Sequence, residues 1–262
     1  MSREELVVAE RRGHCLILRL NRPHAGNAIN RDVAEALGTQ LRACAGDQVP
    51  RTLIITGTGH RFFCTGGDVK AYAKLASPEE LNAVFGLMRD VCDALEALPC
   101  PVIAAINGFA VGGGAEMSLA CDIRIAEASA QIGFPQSRLG ILPGWDGGHR
   151  QLTTVGRSAA SRLLFSGNRI SAQEARDIGL IDEVVADGTA LTRALELADT
   201  FAEVAPLALG AIKQTLKAAA TEPAVQARIA ARDSFARLWF TQDHAEAERA
   251  FAEKRAPVFS GR

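Results

Sequence analysis

Two glycine-bearing turns carry the first signs of chemistry in this sequence. One is Phe62-Phe63-Cys64-Thr65-Gly66-Gly67-Asp68, which follows an apolar run at 52–56. The other is Asn107-Gly108-Phe109-Ala110-Val111-Gly112-Gly113-Gly114-Ala115-Glu116, which follows an apolar run at 102–106. Glycine lets a ligand approach the backbone, and a helix that opens on glycines presents unpaired N–H groups to negative charge. Two such N–H groups converging on one point make an oxyanion hole, which stabilises a developing enolate or alkoxide by several kcal/mol. Glycines here also serve as plain turn and packing residues, and the sequence alone leaves both readings open. Neither turn spells a nucleotide fingerprint: 112–117 is GGGAEM, Gly57-Thr58-Gly59 runs into His60-Arg61-Phe62, and no G-x-x-x-x-G-K-[ST] occurs. The sequence contains no G-x-S-x-G, which argues against an α/β-hydrolase serine.

Strands and helices must hold these turns. Cys15 to Leu20 (CLILRL), Thr52 to Thr56 (TLIIT), Val102 to Ile106 (VIAAI) and Ile123 to Ala126 read as buried strands. Helical spacing runs over Arg31 to Ala45 through Val33, Leu37 and Leu41. It recurs over Glu79 to Leu98, with Pro99 as the stop, and over Ala115 to Cys121. Repeated strand–loop–helix units predict an α/β domain with covered sheets. From about Leu195 the strands give way to Ala-rich, charged helix with an apolar seam at Phe235, Leu238, Trp239 and Phe240. That seam is more apolar surface than a terminal helix leaves in water, so it predicts a neighbouring subunit.

The 262 residues balance 29 Lys+Arg against 30 Asp+Glu, which gives no electrostatic footprint for nucleic acid or an anionic membrane surface. The apolar runs fall far short of a membrane span, and the start, Ser2-Arg3-Glu4-Glu5, leads into no secretory apolar stretch. Six cysteines at 15, 44, 64, 92, 100 and 121 form no C-x-x-C pair, and the five histidines are scattered singly. We therefore expect no disulfide framework, no metal site and a cytoplasmic location.

Asn21-Arg22-Pro23 with Asn27-Ala28-Ile29-Asn30, FCTGGDV at 63–69 and INGFAVGGGAEMSLACDIRIA at 106–126 together resemble the enoyl-CoA hydratase/isomerase (crotonase) superfamily. The resemblance continues through Gly133-Phe134-Pro135, LGILPG at 139–144 and SAQEARDIGLIDEVV at 171–185, covering roughly residues 6 to 259. It implies an α/β fold built as a spiral of ββα units, with a C-terminal helical region that supports trimers, often paired into hexamers. On that reading residues 1–195 form the acyl-CoA-binding core, and 196–262 the helical oligomerisation region.

The resemblance also implies a coenzyme A thioester as substrate, with no permanently bound cofactor. Its carbonyl oxygen would accept N–H bonds from Gly67 and Gly113. Ala28 and the stretch Gly67-Asp68-Val69-Lys70 would lie along the coenzyme, and Phe251 and Lys254 would reach a coenzyme on an adjoining subunit. Glu116 matches a catalytic glutamate that moves protons at the carbons beside the thioester. A second glutamate ordinarily follows proline in a P-E pair; here the pair is Pro135-Gln136. Glutamine holds a water but cannot exchange its proton, which puts simple hydration in question. Asp146, where common members carry glycine, is the candidate replacement acid; an aspartate beside Gly147 and Gly148 is equally a turn former. The implied activity is hydration or isomerisation of an enoyl-CoA. The alternatives are a hydrolase or decarboxylase of the same family, or a non-catalytic acyl-CoA binder.

Overall fold

The computed structural model of the protein describes residues 6–73 and 75–262. Strands β1 (Val7–Arg12) and β2 (Cys15–Leu20) form an antiparallel hairpin. Helix α1 (Arg31–Ala43) follows, started by the Asn30 side chain, which accepts the Val33 N–H. The chain then repeats one unit three times: a strand of the large sheet, a short strand of a second sheet, then a helix. The first unit is β3 (Thr52–Gly57), β4 (Phe62–Cys64), the single turn α2 (Val69–Tyr72) and the long α3 (Pro78–Ala97). The second is β5 (Val102–Ile106), β6 (Phe109–Val111) and α4 (Gly113–Leu119). The third is β7 (Ile123–Glu127), β8 (Gln131–Gly133) and α5 (Gly147–Ser166). Short elements β9 (Arg169–Ser171), α6 (Ala172–Asp177) and β10 (Glu183–Val185) complete the sheets.

The larger sheet has the order β1-β2-β3-β5-β7-β10, and the smaller β4-β6-β8-β9. Pairing is parallel from β2 to β10 and from β4 to β8. Ile17, Ile54, Ile103 and Ile123 fall in one row across the large sheet. Both faces of this sheet are covered, so its central strands read as unbroken apolar runs rather than alternating ones. This is the expected spiral of ββα units, each placing one strand in each sheet.

The boundary expected at 195/196 falls inside helix α7 (Ala190–Ala202). Ala190, Ala194 and Ala198, one turn apart, pack on the sheet face formed by Cys15, Ile17, Ile54, Ile103 and Ile125. A stripe of small residues lets this helix sit close to the strands, so it belongs to the core. Helices α8 (Pro206–Thr221), α9 (Ala224–Trp239) and α10 (Gln242–Glu253) follow it.

Candidate active site

Because β4 and β6 are parallel neighbours, the turns that leave them emerge side by side at their carboxyl ends. In open parallel sheets this is where ligands bind. Ile29 ties the first turn down: its N–H donates to Gly66 O (2.8 Å) and its carbonyl accepts from Asp68 N–H (2.8 Å). The two turns are pressed together at glycines. A Cβ at Gly66, which holds φ +90°, would lie 2.7 Å from the Gly113 nitrogen; one at Gly114 would lie 2.0 Å from Cys64 O. Only glycine fits either position. Gly113 is the first residue of α4, where backbone N–H groups have no acceptor within the helix. The structure thus brings Gly67 and Gly113 into adjoining turns.

Glu116 lies in the first turn of α4 and is 1% exposed. Its Oε1 accepts from Gln136 Nε2 (2.7 Å), and its Oε2 accepts from the backbone N–H of Trp145 (2.8 Å) and of Gly147 (3.0 Å). Burial pushes its pKa above the ordinary carboxylate range, while these donors, and Gly144 N–H beside them, pull the other way. Gln136 is buried in the 3₁₀ turn Pro135–Leu139, and its side-chain carbonyl oxygen has no partner among the described residues. Glu116 and Gln136 therefore meet, as their places in the motif imply.

The loop holding Glu116 is braced from behind. Arg150 donates to Trp145 O (2.7 Å) and pairs with Asp93 (2.8 Å) and Glu96 on α3. Trp145 and Gly147 act through backbone N–H groups, so residue type gave no signal of their role. Asp146 sits between them in the left-handed conformation (φ +62°), heading α5 without a side-chain cap. Aspartate tolerates that conformation better than most residues. Its side chain is exposed and lines a cavity of about 1000 Å³ with His149, Lys213 and Lys217, which Glu116 does not line. The structure does not join Asp146 to Glu116 and Gln136; it supports the turn-forming alternative.

The coenzyme candidates are divided. Ala28 is buried, and its carbonyl accepts from Arg22 (2.7 Å), which also pairs with Asp68 (3.1 Å). Asp68 caps α2 by accepting from Ala71 N–H, while Val69 and Lys70 are exposed beside it. These residues adjoin Gly67. Phe251 and Lys254 lie at the exposed end of α10, Lys254 in the left-handed conformation that ends the helix. All six cysteines are free and buried, and no cluster of His, Cys, Asp and Glu among the described residues is arranged to hold a metal ion. No helix among them is long and apolar enough to cross a membrane.

The family model for enoyl-CoA hydratase/isomerase matches residues 10–262. The 2,3-dehydroadipyl-CoA hydratase of Escherichia coli is 40% identical over 260 residues, covering 98% of this chain and 99% of that protein. The short-chain-enoyl-CoA hydratase of Clostridium acetobutylicum is 35% identical over 250 residues, 95% of each. Among solved structures, the enoyl-CoA hydratase of Bacillus anthracis superposes with a TM-score of 0.94 at 33% identity, covering 98% of this chain and 100% of that one. With its alternating sheets, paired glycine turns and buried Glu116, the chain belongs to the enoyl-CoA hydratase/isomerase family and is an acyl-CoA enzyme of the crotonase type.

Proposed function

We propose that this enzyme moves a double bond within an enoyl-CoA, with Glu116 as its single proton carrier. One observation carries the reading: the Glu116 carboxylate is bonded to the amide of Gln136 and not to a second acid. The thioester carbonyl would accept from Gly67 and Gly113 N–H. Glu116 takes a proton from the α-carbon, and the electron pair passes into a dienolate held by those donors. Protonated Glu116 then returns the proton to the γ-carbon, leaving the double bond conjugated with the thioester. One carboxylate suffices because the same proton leaves one carbon and joins another.

Hydration is the second reading, favoured by the names of the relatives and by the free Gln136 carbonyl, which is able to accept a hydrogen bond from water. It requires water to lose a proton as the α-carbon gains one, and Glu116 would carry both transfers. Ala28 and Asp68 to Lys70 would line the coenzyme in either reading, with the thioester as substrate and no resident cofactor. The exposed Phe251 and Lys254 support a coenzyme contact across a trimer or hexamer, and the buried free thiols suit a reducing cytoplasm.

Product analysis on matched β,γ- and α,β-enoyl-CoA thioesters tests the proposal. We expect isomerisation to outrun hydration of crotonyl-CoA in the wild type. Gln136→Glu should raise hydration by ~10²-fold or more, the usual worth of a general acid or base. Efficient wild-type hydration that Gln136→Glu leaves unchanged would overturn the single-carboxylate reading.

A further inference from the structure

Three aromatic rings are seated on glycines of the site. The Tyr72 ring lies 2.4 Å from where a Cβ on Gly67 would stand, and the Trp145 ring 2.4 Å from a Cβ on Gly113. The Phe85 ring lies 2.5 Å from a Cβ on Gly144. Tyr72 and Phe85 also pack on each other, centroids 5.3 Å apart and tilted by 47°. With the approach of Gly66 to Gly113, these contacts form a closed circuit that joins the two glycine turns to the loop holding Glu116.

The circuit decides where an acyl chain can go. Its head is fixed at the two glycine turns, and Trp145, 2% exposed, fills the side toward α4. Helix α3 meets the loop that holds Glu116 at Gly144. There Phe85 rests on Gly144, and Arg89, one turn further along α3, donates from Nε to Gly144 O (3.0 Å). The Tyr72 hydroxyl is tied to Ile29 O (2.7 Å), so its ring cannot swing aside without breaking that bond. Beneath Phe85 the next inward residue of α3, Met88, is fully buried. Phe85 is thus held between Tyr72, whose ring lies on Gly67, and Gly144, in the loop that holds Glu116.

We propose that Phe85, backed by Tyr72, ends the acyl pocket and makes this a short-chain acyl-CoA enzyme. The inference rests on the proposed placement of the thioester at Gly67, Gly113 and Glu116. It adds a specificity-determining residue that takes no part in proton transfer. Pockets discriminate by the space they leave: each methylene that fits or fails to fit is worth roughly 10-fold or more. A ring removed from the end of the pocket therefore changes the ranking of substrates, while a residue that merely supports the fold would lower all rates together.

The test reads deuterium incorporation at the α-carbon of saturated acyl-CoA thioesters in heavy water, from butyryl-CoA to dodecanoyl-CoA. This readout depends on enolate formation alone and is indifferent to hydration or isomerisation. Wild type should exchange butyryl-CoA and discriminate strongly against dodecanoyl-CoA. Phe85→Ala should raise the long-to-short ratio of kcat/KM by ~10-fold or more. Phe85→Leu keeps an apolar side chain against Gly144, guards against a folding defect and should give a smaller rise. An unchanged ratio in both variants, with Glu116→Gln inactive, overturns the inference and leaves the proposed function standing. Exchange that survives Glu116→Gln overturns the proposed function itself.

Discussion

At the scale of single residues, the site turns on one buried carboxylate held by unlike forces. Removing Glu116 from water favours its neutral form, and four N–H donors favour its charged form; burial dominates, so its pKa is raised. Two consequences share one pH window, from the ordinary value of 4.5 up to the raised one. Below the raised value the base is protonated, so the rate should fall there, at a higher pH than an exposed glutamate would give. Stability runs oppositely. The folded state holds this proton more tightly than the unfolded state, so the contribution is fully present below 4.5 and lost as pH rises through the raised value. Paired pH–rate profiles and thermal melts should show both slopes, and Glu116→Gln should abolish activity and flatten the melting slope in that window. A rate limb at the ordinary carboxylate value would count against Glu116 as the base. The sequence exposed this residue because it follows a recognisable glycine run. It concealed Trp145 and Gly147, which hold Glu116 through backbone nitrogens and not through side chains, although a Cβ at Gly147 would stand 2.3 Å from Glu116 Cγ. Asp146 shows the reverse: its type suggested acid chemistry, yet its left-handed backbone and exposed side chain point to a turn.

At the scale of elements, the long strands were legible and the short ones were not. Strands β2, β3 and β5 are five or six residues of largely apolar sequence, buried along their length, and they announce themselves. Strands β4, β6 and β8 have three residues each, too few to display a period, and two lie within glycine-rich motifs that read as turns. Yet the pairing of β4 with β6 is what lays the two turns side by side. The approach of α4 to β4 should therefore control activity more than stability. Gly114→Ala would drive a methyl to 2.0 Å from Cys64 O, forcing α4 outward and parting Gly113 from Gly67. A displacement of about 1 Å in a catalytic group costs ~10²-fold in rate, so kcat should fall by at least that factor. Ser118→Ala, on the same helix, removes a hydroxyl that only reaches back to Ala115 O. It should cost about 1 kcal/mol in stability and leave kcat nearly intact. Equal losses of kcat in the two variants would show that α4 matters as packing and not as the placement of Gly113.

At the scale of the whole molecule, the C-terminal helices leave a large apolar surface uncovered in the single chain, which the proposed assembly would bury. Phe235 is 63% exposed, Trp239 50% and Phe240 87%, and of α9 only Ala227 is buried. Phe235 and Trp239 pack ring against ring (5.5 Å), so the patch is contiguous and not a scatter of single residues. Contiguous aromatic surface of this kind supports the proposed subunit interface. Sedimentation at micromolar concentration should give a mass near three or six times the 27.8 kDa chain. Replacing Trp239 and Phe240 together by glutamate places charge where burial is required, so the assembly should fall apart while each exposed site tolerates the change in a folded monomer. The consequence for activity separates a structural interface from a shared site. If Phe251 and Lys254 reach a coenzyme on the adjoining subunit, dissociation removes binding contacts but leaves Glu116 and the glycine turns in place. KM for the thioester should then rise steeply with kcat falling less, because contacts made equally in ground and transition states act on KM. Phe251→Ala and Lys254→Ala in the intact assembly should reproduce that rise in KM. A monomeric wild type with an ordinary KM would instead make the aromatic patch a surface for some other partner, and confine the coenzyme contacts to Ala28 and the stretch from Gly67 to Lys70.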